Sequence, residues 1–175
     1  MKNAVTDWNI DKSKLLDYEN SEWNFDKFYE TTDKKYGIFF YNIEEFRMLA
    51  YGSKFAIFNN SKSNVPLLNL KKLWIWFDEQ KPFFYAEKSN CIIFRKPKSN
   101  TSYPFLLIKP ELQIFASIEW DYTSIYYGLE EIDENNLILT EVYPEVLKIS
   151  KSKPKNKFFN LDSLKWKNLN SIETL

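Results

Sequence analysis

Glu119 and Asp121 are the residues of this chain that come closest to a catalytic pair. Acids at positions i and i+2 of a strand lie on the same face, and Glu130 follows after a short turn. Two neighbouring carboxylates of this kind are what glycoside hydrolysis requires. Nothing in the surrounding sequence indicates the enclosed cleft that such chemistry needs. The sequence therefore predicts a protein that acts by binding and is not an enzyme.

The composition excludes most other catalytic systems. The chain of 175 residues contains no histidine, so neither Ser-His-Asp nor Cys-His nucleophile systems can be formed from it. Cys91 is the only cysteine, which is too few for a zinc site without imidazole ligands. The three glycines are far apart, so there is no glycine-rich loop to hold a phosphate. We expect no cofactor and no metal.

Charge is segregated along the chain although the formal net charge is zero. Eight acids lie between Glu119 and Glu145 without an intervening Lys or Arg, and five lysines follow between Lys148 and Lys157. A block of one sign attracts an oppositely charged partner and raises its association rate. The alternative is that the two blocks neutralise each other or only solvate the surface. The basic stretch has no arginine, which argues against a nucleic-acid partner.

Strand alternation places the acidic block on one surface. Ile118, Trp120 and Tyr122 are predicted to face the core, which leaves Glu119 and Asp121 exposed. After the next turn, Ile125, Tyr127 and Leu129 are predicted to face inwards. The sequence predicts an acidic, aromatic surface for a cationic protein, formed by Glu119, Asp121, Tyr126, Glu130, Glu131, Asp133 and Glu134.

Trp74 and Trp76 support a different function. They alternate with apolar residues in Leu73–Phe77, so the strand has two apolar faces and is predicted to be central and buried on both. If the tryptophans are instead exposed, they form with Tyr85 a flat platform for a carbohydrate or another small ligand. The equivalent positions of the next repeat, about Gln113 and Phe115, carry no tryptophan, so the repeat does not require the pair.

An internal repeat sets the expected fold. Phe55–Phe58, a polar loop, and three further apolar segments recur from Cys91–Phe94 onwards, at a spacing of about 36 to 42 residues. Each copy, 54–90 and 91–131, reads as about four short strands separated by polar turns. We predict a single domain that is mainly β: an antiparallel meander or partial propeller of about two and a half units over 36–145.

The two ends are predicted to differ from this β core. In the polar segment 1–35, Phe25, Phe28 and Tyr29 share one face of a short helix. In 146–175, a basic linker precedes a helix that begins near Phe158 and is capped by Asn160. Residues after Asn42 fit a helix or a strand, and the repeat favours a strand from Phe46 onwards.

These features together predict a cytoplasmic protein of bacterial type. No apolar run approaches the length of a membrane span, the first residues lack the apolar core of a signal peptide, and the single cysteine cannot form an internal disulfide. The predicted function is an inhibitor or immunity protein that neutralises a cationic, nuclease-type toxin. A carbohydrate-binding module and a structural assembly component are the alternatives.

Overall fold

The computed structural model of the chain describes residues 8, 10–19, 26–47, 50–59, 64–70, 73–96, 105–119, 127–141 and 156–174. Within these residues, thirteen strands form three antiparallel sheets, none of them closed, and no α-helix occurs. The prediction of a mainly β fold with antiparallel sheets is therefore confirmed. No helix in this part of the chain is long and apolar enough to cross a membrane.

The first sheet is built on a long hairpin of aromatic and β-branched residues, which favour strands. β2 (Tyr36–Arg47) and β3 (Ala50–Asn59) pair along most of their length, with a register shift after Tyr41. Three shorter strands complete the sheet: β1 (Lys27–Glu30) beside β2, with β4 (Leu68–Asn69) and β5 (Ile75–Phe77) beside β3.

The second and third sheets come next in chain order. The second sheet contains β6 (Phe84–Ala86), β7 (Cys91–Arg95), β8 (Phe105–Lys109), β9 (Ile114–Ile118) and β13 (Lys167–Asn168). The third sheet contains β10 (Tyr127–Glu131), β11 (Asn136–Glu141) and β12 (Asn156–Asn160). The chain thus enters the third sheet and then returns to the second with β13.

The second sheet lies between the other two and is buried on both faces. From β7, Ile92 and Phe94 pack with Phe40, Phe55 and other residues of the first sheet. Their neighbours Cys91 and Ile93 point the opposite way and pack with Leu137, Leu139 and Phe159 of the third sheet. This two-sided burial explains why the run Cys91–Phe94 is continuously apolar.

The outer face of the first sheet is covered by the segment before it. Trp8 and Leu15 pack on Phe39, Tyr41 and Phe58. Asn42, in a left-handed conformation (φ 49°) and buried, fixes this segment: its Nδ2 donates to the backbone oxygen of Asp17 (2.7 Å) and its Oδ1 accepts from the backbone NH of Glu19 (3.1 Å). Asparagine tolerates this backbone region better than most residues, and its amide satisfies two backbone groups at once.

The Tyr41 hydroxyl also holds this segment, and it makes the stability of the protein fall at alkaline pH. Its single proton is shared between two acceptors, the backbone oxygen of Leu16 (2.9 Å) and Oδ1 of Asn69 (2.8 Å). Burial, aided by the carboxylate of Asp17, raises the pKa of Tyr41 to about 12. The pKa of a tyrosine in the unfolded chain is about 10, so the neutral hydroxyl stabilises the folded state at any pH below about 10. This stabilisation is lost as the pH rises from about 10 to about 12. We expect the Tyr41→Phe variant to lose about 2 kcal/mol less free energy of unfolding than the wild type between pH 9 and pH 11.5.

Denaturant unfolding at the two pH values measures this difference. Tyr51→Phe is the matched control, since Tyr51 is 37% exposed. Equal losses in the wild type and in Tyr41→Phe would show that Tyr41 does not carry the effect.

The helices at both ends are only short 3₁₀ turns, Lys12–Lys14 at one end and Leu161–Ser163 and Leu169–Thr174 at the other, and the predicted helical positions are wrong. Phe28 and Tyr29 belong to strand β1, which pairs antiparallel with β2, while 21–25 lies outside the described residues. At the other end, Phe158 and Asn160 belong to strand β12. Asn160 does cap, but it caps only a 3₁₀ turn, Leu161–Ser163, with the Asn160 side chain accepting from the Ser163 NH. In both places an available sheet edge outweighs a local helical pattern.

Two further sequence predictions concern the repeat. The strand expected from Phe46 onwards is confirmed only for Phe46 and Arg47, which end β2; residues 48–49 lie outside the described residues, and β3 begins at Ala50. The division into copies 54–90 and 91–131 stays a prediction. The first copy supplies β3, β4 and β5 to the first sheet and β6 to the second, so the sheet changes within it.

Candidate partner-binding surface

The predicted acidic residues lie around the third sheet and the end of β9. Glu119 is exposed directly after β9, and Glu130 is exposed on β10. Asp133 and Glu134 are exposed in the turn that joins β10 to β11. Asp121 and Tyr126 lie outside the described residues. The third sheet therefore holds most of the described acidic set.

Glu131 faces the opposite way from its neighbour Glu130. Its carboxylate accepts hydrogen bonds from the Ser89 backbone NH (2.7 Å), the Ser89 hydroxyl (2.9 Å) and the Lys88 backbone NH (3.0 Å). These contacts join β10 of the third sheet to the turn between β6 and β7 of the second. Glu131 thus holds two sheets together, and the predicted set is divided between two faces.

Asp133 organises the turn that precedes β11. Its carboxylate accepts from the Asn135 backbone NH (2.9 Å) and from the side-chain amide of Asn136 (2.8 Å). The Asn136 and Asn135 hydrogen bonds hold the pKa of Asp133 below its usual value, and the charge of Lys88 adds to this. The Asp133 side chain therefore stays charged at neutral pH in a fixed position beside the sheet.

Phe158 is the residue that the sequence did not assign to this surface. In the third sheet Glu130 pairs with Ile138, and Ile138 pairs with Phe158, so their side chains share one face. This is the outer face, because Leu137, Leu139 and Phe159 on the other face are buried in the core. We call Glu130, Ile138 and Phe158 the Phe158 row.

Phe158 is also the most exposed large hydrophobic residue in the described part of the chain, at 68%. Its partner Ile138 is half-buried, and Ile132 at the end of β10 is 43% exposed. The surface position of Phe158 was indicated by the polar residues around it, Asn156, Lys157 and Asn160. No signal in the sequence indicates that Phe158 lies near Glu130. That neighbour relation depends on the register of three strands.

Two lysines lie near the acidic residues. Lys157 extends its Nζ towards the backbone oxygen of Glu119 (3.4 Å), and Lys88 donates to the backbone oxygen of Ile132 (3.1 Å). Both contacts are to backbone oxygens. The carboxylates of Glu119 and Glu130 are therefore not the partners of these two contacts.

The aromatic platform is arranged differently from the predicted buried strand. Ile75 and Phe77 of β5 are buried in the core, whereas Trp74 and Trp76 alternate with them and are half-buried. The strand thus has one buried face. The guanidinium of Arg95 lies over the Trp76 ring, 4.8 Å from its centroid, and forms a cation–π contact.

Tyr85, the third platform residue, belongs to another sheet and is engaged in an internal contact. It lies on β6, and its hydroxyl donates to Asp33 (3.0 Å) and towards Asn90 (3.2 Å). Burial raises the pKa of Tyr85, and the Asp33 hydrogen bond and charge raise it further. A ligand platform of these three residues stays a prediction.

Among the described residues, no group of three or more His, Cys, Asp or Glu side chains is placed to hold a metal ion. Cys91 is buried, and this burial raises the pKa of its thiol to about 12, so it is packed as a hydrophobic residue and not as a reactive thiolate.

Comparison of the chain with models of protein families, with curated proteins and with solved structures finds no match in any of the three.

Proposed function

We propose that this protein binds a cationic protein on the outer face of its third sheet and inhibits it, as an immunity protein inhibits a toxin. The observation that carries the proposal is the Phe158 row, in which an exposed aromatic ring and an exposed carboxylate stand on either side of Ile138. Protein interfaces obtain most of their affinity from a few such aromatic anchors.

The charges around the row fit a basic partner. Glu130 lies in the row, and Asp133 and Glu134 lie in the turn at the end of the same sheet. Exposed charges of one sign guide the approach of an oppositely charged protein and raise its association rate. An acidic surface also resembles the backbone of a nucleic acid, which makes a basic nuclease the toxin class that we favour.

The chemistry of the chain supports inhibition and not catalysis. The sequence lacks histidine, and its single cysteine is buried. An inhibitor needs only a surface that covers the active site of its partner, which a small sheet protein can supply. We propose that inhibition takes place in the cytoplasm.

The proposal predicts that reversing two charges on this surface weakens binding. The partner is first captured from source-cell lysate with tagged protein and identified, and its enzymatic activity is assayed with and without the protein. We expect one basic protein whose activity is blocked at a one-to-one ratio. Glu130→Lys combined with Glu134→Lys should raise the dissociation constant about 10- to 100-fold at low salt.

The control reverses two exposed carboxylates on or beside the first sheet, Glu44→Lys with Glu79→Lys, of which Glu79 forms only an exposed ion pair with Lys27 that contributes little to stability. It has the same net charge, so it separates a local effect from a general one. Glu131 is left unchanged in both variants, since its loss would perturb the contact between sheets. Equal weakening by both pairs, or a captured protein whose activity is unaffected, would contradict the proposal.

A further inference from the structure

The Phe158 row has the dimensions of a receptor for one flat cationic side chain. Glu130 and Phe158 are each directly opposite Ile138 on neighbouring strands. Opposite residues have Cβ atoms about 5 Å apart, so the carboxylate and the ring rise about 10 Å apart across an apolar floor. This width accommodates a planar group that stacks on the ring at about 3.5 to 4 Å and donates hydrogen bonds to the carboxylate.

The neighbouring rows of the third sheet carry no positively charged side chain. On one side Gly128 pairs with Thr140, and Thr140 with Asn156, so the position beside Glu130 has no side chain. On the other side Asn160 donates to the side-chain oxygen of Asn136 (3.1 Å). One neighbouring row is thus small and neutral, whereas the other contains Asn136, whose side chain is bonded to the Asp133 carboxylate, with Ile132 beside it.

We infer that the Phe158 row receives one arginine side chain of the partner, whose guanidinium stacks on Phe158 and pairs with Glu130. The inference rests on the proposed function, and it names the chemical group that the surface recognises. The aliphatic part of the arginine lies on Ile138, and Asp133 adds negative charge at the end of the sheet.

Arginine fits this arrangement better than lysine does. A guanidinium is planar and weakly hydrated, so it can stack on an aromatic ring and donate two hydrogen bonds to a carboxylate at the same time. An ammonium is a compact and strongly hydrated charge, which gains from Glu130 but little from the ring. The protein already contains a guanidinium–aromatic contact, in which Arg95 lies over the Trp76 ring.

The experiment compares hexa-arginine and hexa-lysine amides as probes. The full-length protein, labelled for NMR, is titrated with each peptide at the same ionic strength. We expect hexa-arginine to bind at least about fivefold more tightly than hexa-lysine, with the largest shifts at the Phe158 ring and the Ile138 methyl groups. Phe158→Leu should remove the preference, whereas Phe158→Tyr should retain it.

Equal affinity for the two peptides, or shifts centred away from the Phe158 row, would overturn the inference. This result is distinguishable from a failure of the proposed function. If the peptides bind equally but the basic partner is still captured and inhibited, only the arginine receptor fails. If the peptides are discriminated but no captured protein is inhibited, the receptor stands and the inhibitor function fails.

Discussion

Replacing Phe94 by alanine is expected to lower the free energy of unfolding by about 3 to 5 kcal/mol. Phe94 is fully buried between the first and second sheets, and its ring centroid lies 4.3 Å from that of Phe55 and 6.3 Å from those of Phe40 and Phe83. Close-packed sheets cannot collapse into the cavity that the variant creates, so both the transfer energy and the cavity contribute. Chemical denaturation followed by tryptophan fluorescence measures the loss.

Phe158→Ala is the control for this prediction, because it removes the same type of side chain from an exposed position. Its side chain is 68% exposed, and we expect a change of less than about 1 kcal/mol. Similar losses in the two variants would mean that Phe94 does not lie between packed sheets. A small change in this control would also establish that Phe158 variants remain folded in the binding experiments.

Glu131→Ala is expected to lower the free energy of unfolding by about 2 to 4 kcal/mol and to loosen the third sheet. The variant removes the acceptor of three hydrogen bonds and leaves the NH groups of Lys88 and Ser89 and the Ser89 hydroxyl without it. Ser89 is 8% exposed, so water replaces the lost acceptor only in part. Amide hydrogen exchange should increase more in β11 than in β7.

The neighbouring variant Glu130→Ala separates this contact from a simple loss of charge. Both changes remove one carboxylate from β10, but Glu130 faces solvent, and we expect an effect of about 0.5 kcal/mol or less. If Glu130→Ala were as destabilising as Glu131→Ala, the assignment of the two side chains to opposite faces would be wrong.

Burial on both faces was predictable only in part from the strands' own sequences. Cys91–Phe94 is apolar at every position, and it lies in the middle sheet with both faces buried. Leu73–Phe77, which was predicted to be central and buried on both faces, has only one buried face, because Trp74 and Trp76 are half-buried. The ends were not predictable in the same way. Phe28 and Tyr29 fit one face of a helix, but their strand gains its stability from pairing with β2, which local spacing does not reveal.

The candidate surface was predictable only in part. Alternation along β10 separates Glu130 from Glu131, yet the charge pattern alone groups them in one acidic block, and the hydrogen bonds of Glu131 come from a turn more than forty residues away. Phe158 lies beside Ile138, and Ile138 beside Glu130, only through strand register. Register depends on how whole strands align. The neighbours of a residue across a sheet are therefore harder to predict from sequence than the alternation of side chains along one strand.

The return of the chain from the third sheet to the second has a consequence for folding order. Phe115 of β9 pairs with Lys167 of β13, which lies 52 residues later in the chain. Leu169 then enters the core between the first two sheets. Contacts between such distant positions form slowly, because a long loop must close first. During synthesis the middle sheet therefore gains its last strand, β13, only after the strands of the third sheet have been made.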